Sequence, residues 1–99
     1  MEFSGFDWDQ ANRNKCQKHG VSIAEIESLF AAAVVILPDI DHSRTERRFR
    51  AIGKTSRGRL IFVVFTERGR HPHMKIRPIS ARYMHRREAS NYEKNYPEL

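Results

Sequence analysis

The apolar positions of the chain come in short blocks whose spacing switches between helical and strand periods. Glu2–Trp8 partly alternates, with Phe3 and Phe6 as candidate core residues, and reads as an edge strand or an extended lead-in. Asp9 suits the N-cap of a helix running to about His19, because its short carboxylate can accept from the free N–H groups of the first turn. Gly20 fits the position just past that helix, where a residue without a Cβ turns most easily. Ser22 and Glu25 have capping-box spacing, and Val21 and Ile26 have the spacing of a hydrophobic staple. Ile26, Leu29, Phe30 and Ala33 recur at helical intervals, so a second helix should turn that face to a core. From Ala33 to Leu37 the residues become β-branched and apolar, which favours a short strand ended by Pro38-Asp39.

Longer strands follow. Arg47–Lys54 alternates, with Phe49, Ala51 and Gly53 on one side and Arg48, Arg50, Ile52 and Lys54 on the other. Ser56-Arg57-Gly58 reads as a hairpin turn. Leu60–Thr66 is apolar on both sides, as a central strand is. Arg68–Pro72 is a polar loop, and His73–Ser80 is a further strand that Pro78 places near an edge. A final helix is expected from Arg82 to Asn95, with Tyr83, Met84, Tyr92 and Tyr96 as its apolar side. The order predicts an α+β fold: one compact domain over residues 1–99, a central antiparallel sheet, two N-terminal helices and one C-terminal helix.

Composition narrows the setting. Cys16 is the only cysteine, so neither an internal disulfide nor a cysteine-based zinc cage is available. The apolar runs Phe30–Leu37 and Leu60–Phe65 fall far short of the ~20 residues that span a bilayer. Met1–Asp9 carries acids but no Lys or Arg, unlike a secretory signal, so a cytoplasmic protein without a membrane partner is expected. Net charge is +6, and it is unevenly spread. Between His42 and Arg87 there are fourteen Lys or Arg against two acids, Glu46 and Glu67. So strong a local positive charge points to a polyanionic partner, usually nucleic acid; a solvated basic surface is the plainer alternative.

Metal-free RNA cleavage needs a base for the 2′-hydroxyl proton, cations for the charge on phosphorus, and an acid for the departing 5′-oxygen. His19, Glu46 and Glu67 are candidate bases or acids, and Arg48, Arg50, Arg77 and Arg82 are candidate phosphate forks. Each has a plainer role. His19 ends a helix and can complement its dipole; Glu67 can pair with Arg68; Glu46 can offset Arg47 and Arg48. Lys75 and Arg77 share one side of their strand, as Arg48, Arg50 and Lys54 share one side of theirs; as antiparallel neighbours they would form a stripe of cations. The histidines (His19, His42, His71, His73 and His85) show no metal-ligand spacing, and there is no glycine-rich phosphate loop or serine elbow, so neither metal nor cofactor is expected.

Several short motifs occur in a fixed order: Trp8-Asp9, Lys18-His19-Gly20-Val21-Ser22, Glu46-Arg47-Arg48 leading to Ile52-Gly53, Phe65-Thr66-Glu67-Arg68, Ile79-Ser80-Ala81-Arg82 and Arg86-Arg87-Glu88. Together they resemble the BrnT family of toxins, over about residues 3–94. The resemblance implies a fold similar to the RelE ribonuclease toxins and RNA cleavage that halts translation. It also implies a cognate BrnA-type antitoxin whose ribbon-helix-helix part binds DNA, so that the toxin meets DNA only through its antitoxin. His19, Glu46, Glu67, Arg77 and Arg82 match these motifs and are the catalytic candidates; Lys18, Arg48, Arg50, Lys54 and Lys75 are the candidates for holding RNA phosphate. Tyr83, Met84, Tyr92 and Tyr96 give the last helix more apolar surface than it needs alone, and are the candidates for docking the antitoxin. Cys16 stands where family members often have asparagine, and the Arg68–Pro72 loop is extended by His71-Pro72-His73. The alternative to an enzyme is an RNA- or protein-binding module without turnover.

Overall fold

Two capping motifs start the chain. The Asp9 side chain accepts from Asn12 N–H at 3.0 Å, Asn12 answers by accepting from Asp9 N–H at 2.7 Å, and helix α1 runs Gln10–Gln17. Ser22 and Glu25 close the expected capping box on helix α2, Ile23–Ala31. The strands are β1 Val35–Pro38, β2 Arg48–Lys54, β3 Leu60–Arg68 and β4 Lys75–Tyr83, and helix α3 spans Arg86–Asn95. The computed structural model describes residues 3–39 and 46–97; Glu2 of the expected lead-in and His42 of the histidine set lie outside them. Among the described residues no helix is long and apolar enough to cross a membrane.

The sheet is antiparallel throughout, in the order β1-β2-β3-β4. One face carries Phe49, Ala51, Ile61, Val63, Phe65, Ile76 and Ala81, and packs against Cys16, Val21, Ile26 and Leu29 from the two N-terminal helices. Fully buried Phe65 is its centre, meeting Phe3, Phe30 and Phe49 ring to ring at 6.2, 5.2 and 5.4 Å. Burying one such side chain contributes about 1.5–3 kcal/mol. The outer side of β4 is occupied as well. Gly5 and Asp7 exchange backbone hydrogen bonds with Ile76, and Asn12 Nδ2 donates to Pro78 O at 2.9 Å. Residues 3–8 thus form an extended lead-in along the β4 edge, and Pro78 sits in the edge strand as expected.

The opposite face alternates out of phase with the first. Its Ile52, Leu60 and Phe62 pack with Val35, Met84, Ala89 and the buried Tyr92 under α3. That helix covers one end of the face.

The sequence misplaces one boundary. Arg82 and Tyr83 are strand, not helix: they pair with Phe62 and Ile61 of β3. The ladder continues to Met84 N–H, which donates to Leu60 O at 2.9 Å, and the helix begins only after His85. Smaller differences are of one to three residues. α1 stops at Gln17, with Gly20 left-handed at φ 89° two residues past its cap. α2 stops at Ala31, so Ala33 lies beyond the helix and is exposed.

Candidate nucleic-acid interface

Strand register decides which cations meet. Arg50, Val64 and Ser80 form one row across β2, β3 and β4; Ile52, Phe62 and Arg82 form the row to one side of it, and Arg48, Thr66 and Arg77 the row to the other, all on the same face. The expected stripe of cations therefore exists, but β2 and β4 are not neighbours: β3 runs between them.

A depression of about 210 Å³ opens on this face, lined by His19, Arg50, Phe62, Val64, Ser80, Ala81, Arg82 and Glu88. The α1 C-terminal turn supplies His19, β2 supplies Arg50 and β4 supplies Arg82. Phe62 is its floor. The Arg82 guanidinium lies 4.5 Å from the ring centre and that of Arg50 lies 5.7 Å from it, so one aromatic ring contacts both cations. Arg82 grips Glu88 as a fork, with Nη1–Oε1 at 2.8 Å and Nη2–Oε2 at 2.9 Å. The fork, helped by the His85 N–H, holds the Glu88 carboxyl down to about 2. Its Arg82 partner is raised by the same bond. Glu88 is accordingly an anion at neutral pH, able to hold Arg82 in place and poorly suited to take up a proton.

A second depression, of about 250 Å³, adjoins the first along the strands and is lined by Ala11, Asn12, Lys15, Glu46, Arg48, Arg68, Arg77 and Ile79. Glu46 Oε2 accepts from Arg68 at 2.6 Å, and its Oε1 is 3.9 Å from Arg48. Arg77 bonds Asp9 at 2.8 Å and Asp7 at 3.4 Å, fastening the lead-in and the start of α1 to β4. Burial works against the Arg77 charge, but these carboxylates outweigh it and its affinity for its proton is raised. Asp9 is lowered, first by the Asn12 N–H and then by Arg77.

The structure thus assembles His19, Arg50 and Arg82 in one depression, and Glu46, Arg48 and Arg77 in the other. Four candidates stand apart. Glu67 follows Phe65 by two residues and so shares the helix-covered face, away from the arginines. Lys54 is exposed opposite Leu60, at the end that α3 covers. Lys75 is exposed opposite Arg68, at the far end of the ladder, and Lys18 is the exposed C-cap of α1. Sequence reading missed Glu88 and Lys15, and gave Arg68 only as a partner for Glu67. Their signals were present: Glu88 lies three residues after the cap His85, and Lys15 lies one helical turn before His19.

The four candidates for antitoxin docking mostly serve the fold. Tyr83 lies on β4, where its OH donates to Glu25 Oε1 at 2.7 Å beneath the Arg59 guanidinium. Glu25 is pushed up by burial, but the Tyr83 and Ser22 hydrogen bonds outweigh this and keep it below its ordinary value. Met84 packs beneath α3, and buried Tyr92 donates to Ile52 O at 3.3 Å. Tyr96 alone of the four is exposed, at 37%. Cys16 is fully buried in the main core, and that burial pushes its thiol up to about 11, which leaves it inert as a nucleophile. A third depression, about 300 Å³ between the lead-in and α2, is walled by Phe3, Phe6, Phe30, Val34, Ile36 and Ile76. Its one ionisable lining residue, Glu27, already accepts from Trp8 Nε1 at 2.9 Å.

A family model described as the ribonuclease toxin BrnT of type II toxin–antitoxin systems matches residues 8–88, a stretch that includes His19, Glu46, Arg50, Arg77, Arg82 and Glu88. Comparison with curated proteins finds no match. With both depressions lined by residues of the matched stretch, the chain belongs to the BrnT family of ribonuclease toxins of type II toxin–antitoxin systems.

Proposed function

We propose that this chain is a metal-independent endoribonuclease that cuts RNA on the open face of its sheet, in the cytoplasm, and so halts translation. The observation that carries this reading is the convergence of His19, Arg50 and Arg82, from three separate elements, around one solvent-open depression. In the reaction the 2′-hydroxyl gives up its proton and its oxygen attacks the neighbouring phosphorus. The bond to the 5′-oxygen breaks, and that oxygen takes up a proton. Arg50 and Arg82 hold the phosphate and offset the charge that builds on it, which is the work a metal ion would otherwise do. His19 carries a proton at one end of the transfer, since an imidazole both takes and gives protons near neutral pH. Glu88 positions Arg82 until phosphate arrives.

The cognate partner in this reading is a BrnA-type antitoxin with a ribbon-helix-helix part. It covers the basic face and is the only route by which the toxin meets DNA. The family membership and the motif order support it.

Induced expression tests the function. Wild type should arrest growth and fragment cellular RNA, and co-expression of the antitoxin should reverse both. Harmless expression of folded protein with intact RNA would overturn the proposal. One observation favours the alternative of a binding module without turnover: Arg77 and Arg82 already hold carboxylates, so both have structural work in the absence of RNA. Purified protein separates the two. Many products per protein molecule, formed in the presence of a metal chelator, mark the enzyme; stoichiometric binding without products marks the module.

A further inference from the structure

We propose that the depression lined by Lys15, Arg48, Arg68 and Arg77 is a second phosphate subsite, which holds the phosphate next to the one that is cut. The substrate is then an RNA strand laid along β2, gripped at two or more consecutive phosphates. This rests on the RNA-cutting reading above and adds to it which part of the strand must be present.

Four cations from four different elements line this concavity, against one lining carboxylate, Glu46. Like charges so gathered repel one another, and neither core packing nor the ladder requires them there. Asp7 and Asp9 account for Arg77, and Glu46 serves both Arg48 and Arg68. Among the described residues no carboxylate lies within ion-pair distance of Lys15. Glu46 sits where an anion is wanted, held by Arg68 at 2.6 Å. A phosphate entering the depression takes over that position and displaces it. Glu88 holds the matching place beside Arg82 in the first depression, so each concavity contains one carboxylate bound to its arginines.

Spacing supports the same assignment. Arg48 and Arg50 are two steps apart on one side of β2, about 6.5 Å along a strand. This is close to the separation of neighbouring phosphates on an extended single strand, so one phosphate can sit at Arg50 while the next sits at Arg48. Arg68 and Arg77 complete the second grip from β3 and β4. Guanidinium forks suit phosphate oxygens, and Lys15 adds a mobile ammonium at the rim.

The test measures binding of a 2′-O-methyl RNA oligomer, which the attack described above cannot cut, over a series of salt concentrations. Lys15→Ala and Arg68→Ala should each weaken binding and flatten the slope of log affinity against log salt by about 0.7, the share of one phosphate contact on a single strand. Lys94→Ala makes the same charge change on the exposed side of α3 and should leave the slope as it is. An unchanged slope in Lys15→Ala or Arg68→Ala, or an equal loss in Lys94→Ala, overturns the second subsite. Failure of the cutting reading looks different. Wild type would then bind the oligomer with the Lys15 and Arg68 dependence intact, yet release no products from unmodified RNA.

Discussion

Arg77 and Arg82 reach the same face of β4 although they are five positions apart. In a regular strand an odd number of steps reverses the side-chain direction. The ladder jumps between Val64 and Phe65: Val64 pairs with Ser80 and Phe65 with Pro78, leaving Ile79 as the extra residue of a bulge. That one residue brings both arginines to the side where Arg48 and Arg50 already lie.

Deleting Ile79 should therefore leave both arginines facing as they do. Without it Arg77 and Arg82 are four steps apart, and regular alternation keeps Ile76 and Pro78 buried and both arginines on the open side. The Ile79 side chain is only partly buried, so the deletion should cost less than the roughly 2 kcal/mol or more that loss of a buried large aliphatic side chain costs. Chemical denaturation checks this. A deletion variant that no longer folds would contradict Ile79 as the one extra residue of the ladder.

The Arg82–Glu88 fork gives stability a pH dependence of known sign. Glu88 is held at about 2 in the folded protein, against an ordinary value of 4.5. A carboxyl lowered by folding contributes stability that is complete above the unfolded value and is lost as pH falls through the folded one. The contribution should be present at neutral pH and fade between about pH 4.5 and pH 2. Glu88→Gln keeps an oxygen for the His85 N–H but removes the charge. Melting temperatures should then show a deficit against wild type at neutral pH that narrows across this window. A deficit that stays constant as pH falls would show that the charge of Glu88 contributes nothing.

The Tyr92 and Tyr96 rings meet at 5.0 Å, tilted by 35°, but only Tyr96 is exposed. Tyr92→Ser empties a buried site and should cost about 3 kcal/mol of stability. Tyr92→Phe loses only the bond to Ile52 O, about 1 kcal/mol. Tyr96→Ser should stay within about 0.5 kcal/mol of wild type, as exposed substitutions do. Urea titrations of the three variants check the order. A Tyr96→Ser loss as large as that of Tyr92→Ser would contradict the placement of the two rings.

Legibility followed the range of the interactions. Asp9, Ser22 and Glu25 declare their helix starts through partners three residues away, and the alternation of β2 puts Arg48, Arg50 and Lys54 on one side without reference to the rest of the chain. What was missed depends on contacts distant in sequence. Ala81-Arg82-Tyr83-Met84 suits a helix locally, and only pairing with β3 makes it strand. The bulge at Ile79 has no marker in its own residues, so the joining of Arg77 with Arg82 could not be read. The tyrosines were grouped by a helix that begins four residues later than its pattern suggests. Glu88 was passed over as one charge among neighbours, because its fork partner lies on another element.

The most direct test of the central claim is cleavage of a defined RNA by purified, antitoxin-free protein in the presence of a metal chelator, with folded His19→Ala and Arg50→Ala measured beside wild type. A proton-transfer group is worth about a hundredfold or more in rate, and loss of one cation or donor aimed at the developing charge costs about as much. Wild type should turn over, and both variants should fall by about these factors while melting as wild type does. Cleavage at the wild-type rate by either folded variant would contradict the account and place the chemistry away from the His19–Arg50–Arg82 depression.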